Sequence, residues 1–189
     1  MQSLEKYRAV FERAVTIARA HGSVRFPASF MFVAAMNPTP KGDVSPGEVG
    51  RREMQQYLAK LSGPLLDRID IHVEAPAVPF KELADIPRGT DTATMREQAA
   101  SARARMTARQ GEATPNARLS GKQLDQYASM SERALALLEQ AITGLGLSAR
   151  AYDKIRRLAR TIADLDGKEG LDESHIAEAV QYRLLDRKV

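Results

Sequence analysis

The chain contains no cysteine. Disulfides, cysteine-ligated zinc and thiol nucleophiles are therefore excluded. Histidine is scarce as well: His21, His72 and His175 are the only three in 189 residues. They are widely spaced and form no HExxH pair, so no metal site is expected. No apolar run reaches the 18 residues that a membrane-spanning helix needs, and the first residues are too charged for a secretory leader. A cytoplasmic location with no membrane partner is the expectation.

A phosphate cradle is also missing. The stretch 42–49, GDVSPGEV, has the glycine spacing of a P-loop but carries Glu48 where the lysine belongs. The stretch 116–123, NARLSGKQ, has Gly121-Lys122 but Asn116 for the first glycine and Gln123 for the hydroxyl residue. The mechanism needs glycines for backbone approach, a lysine for the phosphates and a hydroxyl for Mg²⁺. Neither stretch follows a buried strand, and no apolar strand ends in paired acidic residues. A complete nucleotide site is not encoded here.

What is present is ordinary globular material, 43% hydrophobic and 28% charged, enough for one domain or two small ones. The net charge of +4 and pI of about 9.5 permit contact with nucleic acid or nucleotide phosphate without requiring it. Leu4, Tyr7, Val10, Phe11 and Ala14 recur at helical spacing, which predicts a first amphipathic helix. VTIAR (15–19) and SVRFP (23–27) suit a β-hairpin whose turn holds Gly22; a helix continuing through Ala20 is the competing reading. Phe30–Met36 is an unbroken apolar run, expected as a strand buried on both faces and ended by Asn37-Pro38. A loop rich in Pro and Gly follows, then a helix over 51–61, a break at Ser62-Gly63-Pro64, and a second strand at Asp70–Ala75.

Pro76, Pro79, Pro87 and Gly89 mark a linker, and a domain boundary is placed near Arg88. Strand signals vanish beyond it. Helices are predicted over Thr92–Arg109, Ser120–Tyr127, Ser131–Thr143, from Ser148, and from Glu173 to about Leu185. The predicted inward positions are Leu135, Leu138 and Ile142 on the third helix. On the fourth they are Tyr152, Ile155, Leu158, Ala159 and Ile162; on the last, Ile176, Ala179, Val180 and Leu184. Gly144 is read as the stop of the third helix. The fold class is thus α/β up to residue 88 and an all-α bundle over 89–189, mainly helical in sum.

Three polar residues stand at the ends of apolar elements. Asn37 closes a buried run, a place where α/β sites are built, although a turn residue before proline would look the same. Arg68 is framed by Leu65-Leu66 and Ile69, suited to an inserted arginine or to an ion pair with Asp67 or Asp70. Arg150 lies in a first helical turn, where the helix dipole disfavours a cation unless an anion is near or the side chain is simply solvated.

The succession FMFVAAMNP, YLAKLSGPLLDRIDIHVE, LSARAYDKIRRLARTIADLDG and HIAEAVQYRLLDR resembles the magnesium-chelatase-like AAA+ ATPases, in their ComM-like (YifB) branch. The resemblance runs from about residue 8 to near the end. It implies that the chain corresponds to the C-terminal portion of such an ATPase, after its Walker A and Walker B motifs, comprising a partial AAA+ core and a helical lid. It further implies that Asn37 is sensor 1, Arg68 the arginine finger that reaches the neighbouring subunit's ATP, and Arg150 the sensor 2 arginine that contacts the cofactor. The stretch 15–27 falls on the hairpin inserted before sensor 1. ATP and Mg are the implied cofactors of the full-length protein, a homo-oligomeric ring (a hexamer) the implied assembly, and DNA an implied partner. Two departures stand out. The loop after Asn37-Pro38 lacks the family's usual cysteines, and FERAV replaces a usual glycine before the hairpin.

The implied function is an ATP-driven ring motor acting on DNA in branch migration during recombination or transformation. Metal insertion into a porphyrin and a non-catalytic interaction module are the alternatives. The isolated chain is expected to be inactive in hydrolysis. In the AAA+ sheet a phosphate-loop strand separates the two strands predicted here, so residues 1–88 are expected to be marginal alone and 92–189 to fold independently.

Overall fold

The computed structural model describes residues 14–37, 52, 56, 66, 68–75 and 89–183. The chain divides into two compact units, 1–69 and 70–189.

In the first unit, strands β1 (Ala14–Arg19) and β2 (Gly22–Pro27) pair antiparallel, with Val15 opposite Phe26 and Ile17 opposite Val24. These apolar pairs share one face, while Thr16–Arg25 and Ala18–Ser23 share the other, as the two-residue period of a strand dictates. The hairpin reading holds and the helical one does not: β-branched Val15, Thr16 and Ile17 favour the ladder. The connecting residues are Ala20 and His21; Gly22 belongs to β2, opposite Arg19.

The apolar run Phe30–Met36 departs from expectation. Residues 28–37 have no regular secondary structure, and Met31 and Val33 are 87% and 78% exposed. A strand persists only if its N–H and C=O groups find a neighbouring ladder, and among the described residues the sheet holds β1 and β2 alone. The predicted strand at 70–75 is likewise irregular, with Ile71 and Val73 exposed. Arg52, Gln56 and Leu66 are helical. The predicted first helix lies outside the described residues except for Ala14, and the loop at 38–50 lies outside them entirely.

The second unit is a helical bundle: α1 (Thr92–Gln110), α2 (Gly121–Tyr127), α3 (Glu132–Gly144), α4 (Ala149–Leu165) and α5 (Glu173–Gln181). A 3-10 turn at Asn116–Arg118 joins α1 to α2. Side chains cap the helix starts. Asp91 accepts from the Thr94 amide at 2.9 Å, Ser131 from Ala134 at 3.1 Å and Ser148 from Ala151 at 3.3 Å. Each such cap contributes about 1 kcal/mol. Gln123 folds back on α2 to accept the Ser120 amide at 2.9 Å.

The core consists of Leu119, Leu124, Leu138, Ile155, Leu171 and Ile176, with small residues such as Ala134, Ala159, Ala163 and Ala179 where helices approach. Leu135 was expected inward but is 38% exposed. Ala134, one position earlier, takes the buried place four residues before Leu138, which is buried as expected, and Ile142 packs against the core. Gly144 is still helical, and the left-handed residue that ends α3 is Gly146, at φ 61°. Helix α5 ends at Gln181, earlier than predicted, and Leu184 lies outside the described residues. A parallel bridge between Met130 and Leu171, with Ser131 N–H donating to Leu171 O at 3.0 Å, ties the α2–α3 connection to the α4–α5 loop.

Candidate functional site

Helix α4 organises the second unit. Its apolar stripe buries Ala151, Ile155, Ala159, Ile162 and Ala163, and three charged side chains are buried with it: Arg156, Arg160 and Asp164. Asp164 is the hub. Its Oδ1 and Oδ2 accept from Arg109 on α1 at 2.5 and 2.9 Å; Oδ1 also accepts from Arg160 at 3.0 Å, and Oδ2 from the Asn116 amide at 2.8 Å. Burial pushes this carboxyl up. The hydrogen bonds from Arg109 and Asn116 and the charges of Arg160 and Arg109 outweigh it and hold the group below its ordinary value. Burial likewise depresses the Arg160 guanidinium, partly offset by Asp164. Arg160 also donates to three backbone carbonyls, those of Tyr127 (3.4 Å), Lys168 (2.5 Å) and Glu169.

The N-terminal half of α4 is held by other cations. Arg156 pairs with Asp125 at 2.9 Å and lies 5.4 Å from the Tyr152 ring centroid. Arg157 Nε donates to Leu119 O at 2.9 Å. Helix α5 starts at a reciprocal cap: Asp172 accepts from the Ser174 and His175 amides, and the Asp172 amide donates to His175 Nδ1 at 3.0 Å. The buried imidazole also lies between two carboxylates, its Nε2 3.2 Å from Asp166 Oδ2 and its Nδ1 3.0 Å from Asp172 Oδ1.

The three site residues read from the sequence stand on separate elements. Asn37 is exposed in the described residues 28–37, which have no regular secondary structure. Arg68 is exposed on a turn that Ile69 N–H closes onto Leu66 O at 3.1 Å. Arg150 is the second residue of α4, exposed, in a first turn that contains no acidic residue. Asn37 and Arg68 belong to the first unit, Arg150 to the second. A helix start with a cation and no carboxylate fits an anion such as a nucleotide phosphate. Among the described residues no group of three His, Asp or Glu is placed to hold a metal ion. Nor, among the described residues, is any helix long and apolar enough to cross a membrane.

Comparison with known proteins adds the decisive observation. The family described as magnesium chelatase, subunit ChlI C-terminal, matches residues 89–183, and the family described as magnesium chelatase, subunit ChlI, matches residues 1–83. The chain belongs to the magnesium chelatase family. Within it, the chain falls in the ComM-like branch. It is 40% identical to the competence protein ComM of Haemophilus influenzae over 177 residues, 92% of this chain and 34% of that protein. It is 36% identical to YifB of Escherichia coli over 177 residues, with the same coverage of 92% and 34%. A Mycobacterium bovis protein is 33% identical over 191 residues, 97% of this chain and 37% of its own length. The chain thus spans about a third of the length of the curated relatives it matches. The helical bundle built on α4 coincides with the C-terminal family match.

The Asp164 cluster escaped the sequence reading. Its signal was available: Arg160 and Asp164 are four apart and lie among Ile155, Ala159, Ile162 and Ala163, on the face that must be buried. Asn116, dismissed as a failed P-loop glycine, is a ligand of that buried carboxylate.

Proposed function

We propose that this chain is the sensor and lid portion of a ComM-like AAA+ ATPase, a ring motor acting on DNA in recombination or transformation. The observation that carries the reading is the pair of family matches spanning nearly the whole chain, together with 40% identity to a competence protein. Asn37 serves as sensor 1, Arg68 as the arginine finger and Arg150 as sensor 2. The gap between the two family matches, at residues 83 to 89, supports a functional division near residue 88.

The residues of this chain act by position and charge. Arg150, exposed at a helix start and anchored through the buried contacts of α4, suits a nucleotide phosphate of its own subunit. Arg68, exposed on its turn, suits the phosphate of a neighbour in a homo-oligomeric, hexameric ring. When ATP and Mg are bound they supply the transferable phosphoryl group and its neutralising cation. Guanidinium groups at fixed points then offset charge on the phosphate oxygens, and one such finger contributes on the order of 10³–10⁵ in rate.

ATP turnover tests the reading. Arg68→Ala in the full-length protein is expected to remove DNA-dependent turnover, and Arg150→Ala to weaken nucleotide binding. The 189-residue chain alone is expected to hydrolyse no ATP. Turnover by this chain alone, abolished by Arg68→Ala, is the result that overturns the proposal. Migration of a four-way DNA junction, compared with porphyrin metallation, separates the DNA motor from the chelatase.

A further inference from the structure

We infer that Arg157 and Asn116 are positioning residues: together they fix the rotation of helix α4 about its axis, and so the direction in which Arg150 leaves it. The inference rests on the reading of Arg150 given above, and every residue it uses lies in the second unit.

Polar side chains recur on α4 at Arg150, Asp153, Arg157, Thr161 and Asp164. At 3.6 residues per turn these five fall within about 80° of the helix circumference, one stripe from the exposed start of the helix to the buried carboxylate. Three members of the stripe bond to the short segment between α1 and α2. Arg157 Nε donates to Leu119 O at 2.9 Å, and Leu119 is fully buried. Thr161 Oγ1 accepts from Asn116 Nδ2 at 3.1 Å and donates to Arg157 O, also at 3.1 Å. Asp164 Oδ2 accepts from the same Asn116 Nδ2 at 2.8 Å. The bonds close a ring through Asn116, Thr161, Arg157 and Leu119, completed along the chain by the 3-10 turn.

Asn116 is itself held. It is buried, and all four hydrogen-bonding positions of its amide are filled: Nδ2 by Thr161 and Asp164, Oδ1 by Arg109 at 3.1 Å and Gln110 Nε2 at 3.0 Å. The apolar contacts of Ala151, Ile155 and Ala159 keep α4 against the core but are non-directional, so they allow a small roll. Hydrogen bonds weaken steeply as they bend. Bonds at Arg157 and again one turn later at Thr161 therefore stop the roll. Arg150 stands in the same stripe, two turns before Arg157 and about 10 Å along the axis, so a roll of the helix would swing it off its direction. The Asp153–Arg157 pair, 3.6 Å long and with its carboxylate 40% exposed, adds little.

The test uses the full-length protein, with the Kd for a non-hydrolysable ATP analogue and amide hydrogen exchange as readouts. Arg157→Met keeps the apolar stem and removes the donor. Thr161→Val removes the Asn116 attachment at that turn and spares the bond from Asn116 to Asp164. Arg150→Ala is expected to weaken binding about tenfold or more, as loss of a charged hydrogen bond does. Arg157→Met is expected to weaken it about fivefold and Thr161→Val about threefold, with Arg157→Lys recovering most of the affinity. In the Arg150→Ala background both are expected to change Kd by less than about twofold, because they act through that side chain. Unchanged exchange of α3 and α5 amides shows the bundle intact; if Arg157→Met opens them, Thr161→Val decides. Unchanged affinity in both α4 variants, or a loss that persists in the Arg150→Ala background, overturns the positioning role. Arg150→Ala separates the two failures. If it leaves Kd unchanged, the reading of Arg150 falls and the positioning role with it. If it weakens binding while the α4 variants do not, the positioning role alone falls.

Discussion

Replacing Asp164 by alanine tests whether the buried charge cluster supports the helical unit. Asp164 and Arg160 have side chains 2% and 0% exposed, and Arg109 is 20% exposed. The substitution leaves two guanidinium groups and the Asn116 amide without their common acceptor. Breaking a buried pair by removing one partner costs about 3–5 kcal/mol, because the surviving charge keeps its desolvation penalty. Arg109 retains some water, which places the expected loss near the lower end, about 3 kcal/mol. For a helical unit of this size that lowers the unfolding temperature by about 12–24 °C. The assay is thermal unfolding followed by helical circular dichroism at pH 7. Asp153→Ala is the control: its pair with Arg157 is longer, 3.6 Å, and its side chain is 40% exposed, so its loss stays within about 0.5 kcal/mol. Equal shifts for the two variants, or a loss under about 1 kcal/mol for Asp164→Ala, refute the argument. Acid gives a second reading. The folded Asp164 carboxyl lies below its ordinary value of 3.8. Its contribution is therefore complete above pH 3.8 and is lost as pH falls through the lower folded value. Wild-type stability falls in that acid window, and Asp164→Ala lacks this part of the slope.

Two further outcomes follow from the corrected helix boundaries. Leu138→Ala, at a fully buried position, is expected to cost about 2–5 kcal/mol in denaturant unfolding. Leu135→Ala, three residues earlier and partly exposed, is expected to cost well under half as much; equal losses would refute the difference in burial. Gly146→Ala is expected to cost about 1 kcal/mol by the same measurement. Open space surrounds the added methyl, so the cost is the left-handed backbone at φ 61° alone, and an unchanged midpoint would refute it.

The helical unit was legible because its information is local. Ser131 and Ser148 cap where the sequence placed them, and the stripe Ile155, Ala159, Ile162 turned inward as its period required. The hairpin was legible for the same reason, since its strands are joined by two residues. Phe30–Met36 and Asp70–Ala75 were misread because a strand is a relation between segments. Apolar β-branched sequence states a propensity, and only a neighbour's ladder makes a strand of it. Periodicity also assigned polar residues to the surface by default, which hid Arg160 and Asp164. Asn37, Arg68 and Arg150 were chosen by element ends and by family resemblance. Asn37 is exposed in an irregular segment, Arg68 on a turn and Arg150 in the first turn of α4.

The three carbonyl contacts of Arg160 bear on how the bundle comes apart. One side chain from α4 closes the end of α2, through Tyr127, and the loop before α5, through Lys168 and Glu169. That loop contains an exposed lysine, the kind of site a trypsin-like protease seeks. The carbonyl of Lys168, which the protease must reach, is already engaged by the buried guanidinium. The loop cannot open without withdrawing Arg160, and Arg160 cannot withdraw without releasing Asp164. Cleavage after Lys168 is therefore expected to require release of the Arg160 guanidinium, which links opening of this loop to the buried Asp164 cluster.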